Sequence, residues 1–151
     1  MIFTPSRINF WSFLKLPSVW WCGIRVTRFE SDLCEAKVKH TWINQNPFKS
    51  MFWAVQGMAA ELTTGTLIMN EIQKSNHNIS MLVLNNKANF SKKATGEITF
   101  LCSPKEELRN VFSELIRSKK PQTIWLKSIG INQNKDIVST FEFEWTLLIK
   151  N

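Results

Sequence analysis

Residues 51–69 read MFWAVQGMAAELTTGTLIM, a stretch that is almost entirely apolar or small yet carries one acid, Glu61, in its middle. A segment this apolar on every side predicts a helix that is buried all round rather than docked by one stripe. A carboxylate on such a helix is costly unless it is paired, protonated or used. At helical spacing Ala54, Gly57, Met58, Glu61, Thr64 and Gly65 share one face. Most of these are small, and a small-residue strip around an acid leaves room for a second backbone, a ligand or both. Two readings stay open from the residues alone: a satisfied structural polar group, or a working acid.

The chain has 151 residues, 44% hydrophobic and 21% charged. That suits one folded domain, residues 1–151, and not a disordered chain. A net charge of +7 favours anionic partners such as phosphorylated carriers, acidic proteins, nucleic acid or a membrane face. The bases are scattered, with no long block, so most read as solvated faces. No nucleic-acid-binding module is recognisable, and nucleic acid is not an expected partner. Three cysteines without a CxxC pair argue against a disulfide framework and fit a cytoplasmic setting. Cys34 and Cys102 read as small core residues. His40 and His77 belong to no HxH or HExxH cluster, so no metal site is expected.

The first 22 residues form a helical lead-in. Residues 8–24 are rich in Trp, Phe and Leu, but Lys15 and Pro17 interrupt them, and the run falls short of a membrane span. A short helix over 8–15, a break at Pro17 and aromatics packed on the domain is the expected arrangement. Peripheral membrane contact through Phe10, Trp11, Trp20 and Trp21 is the alternative.

Beyond the lead-in, 23–30 and 33–41 predict a hairpin turning at Glu30–Asp32. Ser50 is the expected N-cap of the buried helix, which should end near Glu71 or Ile72. Residues 80–84 predict a short strand. Residues 87–90 and 94–102 predict one long strand bent near 91–93. A surface helix follows over 104–118, with Leu108, Val111, Phe112, Leu115 and Ile116 as its apolar stripe. Strands 122–131 and 137–149 flank an Asn132-Gln133-Asn134 turn. In the last strand Phe141, Phe143, Trp145 and Leu147 alternate with polar residues, the pattern of an antiparallel strand with one face on a core. The fold class is therefore α+β: a curved antiparallel sheet wrapped around one long central helix, with an additional N-terminal helix and a second surface helix. No glycine-rich phosphate loop and no GxSxG occurs, which disfavours phosphoryl transfer and triad hydrolysis.

Four stretches carry a resemblance: LKLPSVWWCGIRV at 14–26, NPFKSMFWAVQGMAAELTTG at 46–65, ANFSKKATGEITF at 88–100, and the Trp-bearing final strand. Together they resemble the hotdog-fold thioesterase/dehydratase superfamily. More narrowly, they are similar to phenylacetate-degradation-type thioesterases and a related uncharacterised hotdog branch. The resemblance places Asn46 on the family's Asn and Glu61 on its catalytic acid. Phe52, Trp53 and Ala54 fall on a His/Phe-Gly-Gly segment at the helix start. Lys49 stands where the family has a loop glycine, and Trp53 and Ala54 replace both helix-start glycines.

The resemblance implies an acyl-thioester hydrolase acting on acyl-CoA or acyl-carrier substrates. Glu61 would be base or nucleophile, and Asn46 would orient the water or the carbonyl. The backbone amides of Phe52 and Trp53 would hold the oxyanion, and Ala54, Gly57 and Met58 would line the substrate groove. It also implies a homodimer, in which one copy's acid faces the other's helix start, with a tetramer of such dimers as the further option. No separate cofactor is expected, since CoA or phosphopantetheine arrives with the substrate; the charge balance suggests that Lys92 and Lys93 meet it. The alternatives are a non-catalytic hotdog dimer that binds an acyl chain or partner, and, ranked last, a dehydratase or isomerase, which usually wants a histidine beside the acid.

Overall fold

A computed structural model describes residues 3–104 and 106–150. Helices α1 (Pro5–Lys15) and α2 (Pro17–Trp21) precede strands β1 (Arg25–Glu30) and β2 (Leu33–Lys39). A short 3-10 turn at Trp42–Asn44 leads to the long helix α3 (Trp53–Ser75). Then come β3 (Ile79–Phe90), β4 (Glu97–Cys102), α4 (Glu107–Ser118), β5 (Gln122–Ile131) and β6 (Ile137–Ile149). The six strands form one antiparallel sheet in the order β1-β2-β4-β5-β6-β3. Helix α3 packs on β2, β4, β5 and β6. This is the α+β hotdog arrangement that the sequence predicts.

Burial of α3 follows its composition. Residues 62–68 are buried without exception, as expected for a helix apolar on all sides. Its hydroxyls are satisfied locally or across to the sheet. Thr63 Oγ1 lies 2.8 Å from Ser128 Oγ, and Trp145 Nε1 donates to Thr64 Oγ1 at 3.1 Å. Each such buried bond contributes about 0.5–1.5 kcal/mol net and fixes the helix's rotation against β5 and β6. The glycines set its height. A methyl on Gly57 would stand 3.4 Å from the Phe141 ring, and one on Gly65 would stand 3.4 Å from the Trp145 ring.

Several local expectations are corrected. Ser50 does not cap α3; it is buried and bonded to Asn46, and the helix begins after Phe52. The helix also runs on to Ser75, where Asn76 ends it in the left-handed conformation (φ 54°) that Asn tolerates. Pro17 does not merely break the lead-in: as the first residue of α2 it starts a second helix, a position that needs no N–H donor. Residues 79–90 form one continuous strand paired along its length with β6. The sequence hides this because β3 is an edge strand, exposed from Leu84 to Phe90, so no buried face imposes alternation. The expected bend at 91–93 is therefore a crossing from β3 to β4, on the opposite side of the sheet. Helix α4 is described from Glu107; of the expected span 104–118, Lys105 lies outside the described residues, as do Met1, Ile2 and Asn151 at the ends of the expected domain 1–151.

Cys34 and Cys102 face each other in register across β2 and β4, buried and free. Burial pushes the Cys102 thiol up to about 12 and the Cys34 thiol well above its usual range. Both therefore stay protonated and behave as small apolar residues.

Gly130 of β5 is the tightest point in the core. A Cβ there would sit 2.6 Å and 2.9 Å from atoms of the Phe100 ring and 3.0 Å from Ser139 Oγ. Phe100 is completely buried and has nowhere to move. We expect Gly130→Ala to destabilise the fold by about 1–3 kcal/mol, measured by denaturant unfolding. An unchanged midpoint would show that the ring relaxes freely.

Candidate active site

The loop that enters α3 is built by Asn46. Its Oδ1 accepts from the amides of Phe48 (2.9 Å) and Ser50 (3.3 Å), while its Nδ2 donates to Ser50 Oγ (3.0 Å). Both ends of the amide thus serve the 46–51 turn, so Asn46 shapes the loop and is not free to orient water. Within that turn Lys49 adopts φ 59°. This left-handed conformation suits glycine and costs other residues about 1–2 kcal/mol. The chain keeps the glycine-like backbone shape without the glycine.

At the helix start, the Phe52 amide already donates to the Asn44 carbonyl at 2.8 Å, which removes it from the expected pair of oxyanion donors. The Trp53 and Ala54 amides open the helix and have no intrahelical acceptor. Among the described residues they also donate to no other group. They are the donors aimed outward at the positive end of α3. The rings of Phe52 and Trp53, 6.0 Å apart, lie exposed beside them.

Trp53 also lines an open cleft of about 390 Å³ with Asn46, Ser50, Gln56, Lys92 and Lys93. Lys92 is held by Asp136 at 3.0 Å, a contact that in turn lowers the Asp136 carboxyl below its usual range. Lys93 Nζ donates to the Phe48 carbonyl at 3.3 Å. Gln56 was not singled out by its sequence position. It is 4% exposed and its Oε1 has no hydrogen-bond partner. An unpaired buried carbonyl beside free amides is a polar feature that only the folded chain displays.

Glu61 lies eight residues into α3 from Trp53, about 12 Å along the axis at ~1.5 Å per residue. It is not buried as the run around it predicts; its side chain is exposed over this face. It nevertheless shares the lining of an apolar cavity of about 190 Å³ with Trp11, Leu16, Val19, Met58, Leu62 and Trp145, among others. Desolvation by those walls raises the Glu61 carboxyl above its ordinary value. Water still reaches the side chain, so the shift is smaller than that of a fully enclosed acid. Along the expected groove Ala54, Gly57 and Met58 are half-buried. Met58 lines the cavity, whereas Gly57 accommodates Phe141. Among the described residues, no group of three or more His, Cys, Asp and Glu is placed to hold a metal, and no helix is long and apolar enough to cross a membrane.

One chain therefore carries two separate features: a cavity with an acid, and a cleft with free amides and lysines. Comparison with known proteins bears on the scaffold. The family described as Domain of unknown function (DUF4442) matches residues 7–147. No curated protein matches the chain. Among solved structures, a protein of unknown function from Pseudomonas aeruginosa, described as a probable thioesterase, superposes with a TM-score of 0.86 at 17% identity, covering 99% of both chains. A protein of unknown function from Chlorobaculum tepidum gives 0.83 at 17% identity, covering 97% of this chain and 94% of that one. A thioesterase from Haemophilus influenzae gives 0.76 at 14% identity, covering 99% and 93%. These likenesses establish the hotdog fold.

The raised pKa of Glu61 has a consequence for stability. An acid whose folded pKa lies above its unfolded value adds no penalty below the unfolded pKa. It costs stability as pH rises from that value through the folded one. Glu61→Gln removes this cost. The variant should gain on wild type as pH rises through and above the ordinary carboxylate range, and the gap should close at lower pH. Denaturant unfolding across that range checks it; parallel pH–stability curves would contradict the desolvation.

Proposed function

The chain belongs to the DUF4442 family, a domain family of unknown function, and on that premise we propose that it hydrolyses acyl thioesters at sites shared between two copies. The observation that carries the reading is Glu61, a carboxylate of raised basicity on the wall of an apolar cavity in a hotdog scaffold. The names of the Pseudomonas and Haemophilus proteins lend it support.

The chemistry follows from the two half-sites. Glu61 takes a proton from water, and the resulting hydroxide oxygen adds to the thioester carbonyl. Negative charge on the carbonyl oxygen is met by the Trp53 and Ala54 amides at the positive end of α3. The tetrahedral intermediate then expels the thiolate, which takes up the proton, and the acyl group leaves as a carboxylic acid. The ~12 Å between Glu61 and Trp53 along one helix is too long for a single copy to do both jobs on one carbonyl. Two copies related by a two-fold axis would bring one acid to the other's helix start. Strand β3 supplies the means. Among the described residues its outer edge is unpaired over twelve residues and carries exposed Leu82, Leu84 and Phe90, a surface that proteins rarely leave open.

The cavity bounds the acyl group. Apolar cavities of ~150 Å³ hold a benzene-sized guest, so about 190 Å³ suits an aryl or short alkyl group. Lys93, whose only described bond is to a neutral carbonyl, is the better candidate for a phosphorylated carrier than Lys92, which Asp136 offsets. Two observations favour a second reading, a non-catalytic acyl-binding dimer. Trp53 puts an exposed ring at the helix start where the resemblance has a glycine, and Asn46 is committed to its loop.

Release of free thiol from a panel of acyl-CoAs separates the two. Under the catalytic reading Glu61→Gln lowers kcat by about 10²–10⁴-fold, and benzoyl- and hexanoyl-CoA exceed palmitoyl-CoA in kcat/KM by roughly tenfold or more. Absence of turnover with every chain, alongside measurable binding, selects the second reading.

A further test concerns the carrier. Lys93→Ala should raise KM for acyl-CoA by up to roughly fivefold, with less effect at high salt, and Lys92→Ala should do less. A salt-independent KM in wild type would remove the lysines from recognition.

A further inference from the structure

Helices α1 and α2 are apolar on two opposite sides, and only one side faces the domain. The orientation of α1 is fixed by Asn9, whose amide donates to the Val26 carbonyl at 2.9 Å and accepts from the Val26 amide at 2.8 Å. Ile8 and Ser12 are thereby buried, while Trp11, Leu16 and Val19 wall the apolar cavity. The same rotation turns Phe10, Phe13 and Leu14 outward, at i, i+3 and i+4, with Phe10 64% exposed. Trp21 at the end of α2 is 67% exposed. Next to it the Cys22 carbonyl accepts from Asn44 Nδ2 at 3.0 Å, which brings the 3-10 turn alongside and with it Trp42, 83% exposed.

Charge distinguishes this surface from an ordinary apolar patch. Residues 1–29 contain no acid, and neither do residues 36–60. The three acids between them, Glu30, Asp32 and Glu35, all belong to the β1–β2 hairpin. Lys15 lies on α1, and Arg25 stacks on Trp20 with its Cζ 3.4 Å from the ring centroid. Outward Phe, Leu and Trp flanked by bases, on segments that carry no acid of their own, suit the interface of an anionic bilayer, with Glu61 of α3 the acid on the neighbouring cavity wall. There the aromatic rings sit at headgroup level and each nearby base adds about 1 kcal/mol of attraction.

We propose that the outer face of α1 and α2, with Trp21 and Trp42, docks on an anionic lipid surface, setting the helices that wall the apolar cavity against the membrane. Docking itself does not require that the protein be a hydrolase, and it is read without any turnover.

Co-sedimentation with phosphatidylcholine vesicles, with and without phosphatidylglycerol, tests it. Wild type should sediment with the phosphatidylglycerol vesicles, less at high salt, and little with phosphatidylcholine alone. The combined variant F10S/F13S/L14S should lower the partition coefficient by roughly tenfold or more, and Trp21→Ser alone by less. All four side chains are exposed, so the melting transition should hold; if the combined variant unfolds, Trp21→Ser carries the test. Failure of wild type to bind anionic vesicles overturns the proposal, as does binding that survives both variants. A wild-type assembly that the variants split, in sedimentation velocity without lipid, overturns it too and assigns the face to contacts between copies.

Discussion

Gly57 and Gly65 let helix α3 lie close against the rings of Phe141 and Trp145, where a methyl on either would already stand in van der Waals contact at 3.4 Å. That close approach governs the rest of the molecule. It allows Trp145 Nε1 to reach Thr64 Oγ1 and Thr63 to reach Ser128, so the helix cannot roll on the sheet. With the roll fixed, Leu62, Thr66 and Leu67 turn inward and Glu61 turns out. The position of the acid is a by-product of packing a helix of small residues on an aromatic strand.

The same contact explains why one helix carries two separate features. The N-terminal end of α3 projects beyond the buried stretch. There Asn46 and the left-handed Lys49 fold the approach loop so that the Trp53 and Ala54 amides point outward. Further along, α1 and α2 cover the helix and close the apolar cavity against Trp145. Polar donors and apolar pocket are thus separated by the rigid length of the helix.

Much of this was legible from particular residues. The 51–69 run announced a long, mostly buried helix, although its first residue Trp53 and its acid Glu61 are exposed, and the alternation of Phe141, Phe143, Trp145 and Leu147 announced the strand beneath it. Hydrophobic pattern is a direct record of burial, so elements with a buried face were readable. Strand β3 was read only in part because, as an edge strand, it has no buried face along most of its length. Ser50 looked like a cap because caps are read from local sequence. The Asn46 turn, four residues back, had claimed it instead.

What the sequence determined by itself was the fold class and the pairing of an acid with small residues on one helix face, since both follow from periodicities of 3.6 and 2 in side-chain character. What the tertiary structure alone decided was which groups are free. The Phe52 amide and the Asn46 side chain are consumed by neighbours, the Trp53 and Ala54 amides are not, and Gln56 is left with an unpaired carbonyl oxygen. Hydrogen-bond satisfaction is settled by the path the backbone takes through the 44–52 loop, which decides which groups come within reach of one another. No local pattern of residue types carries that information.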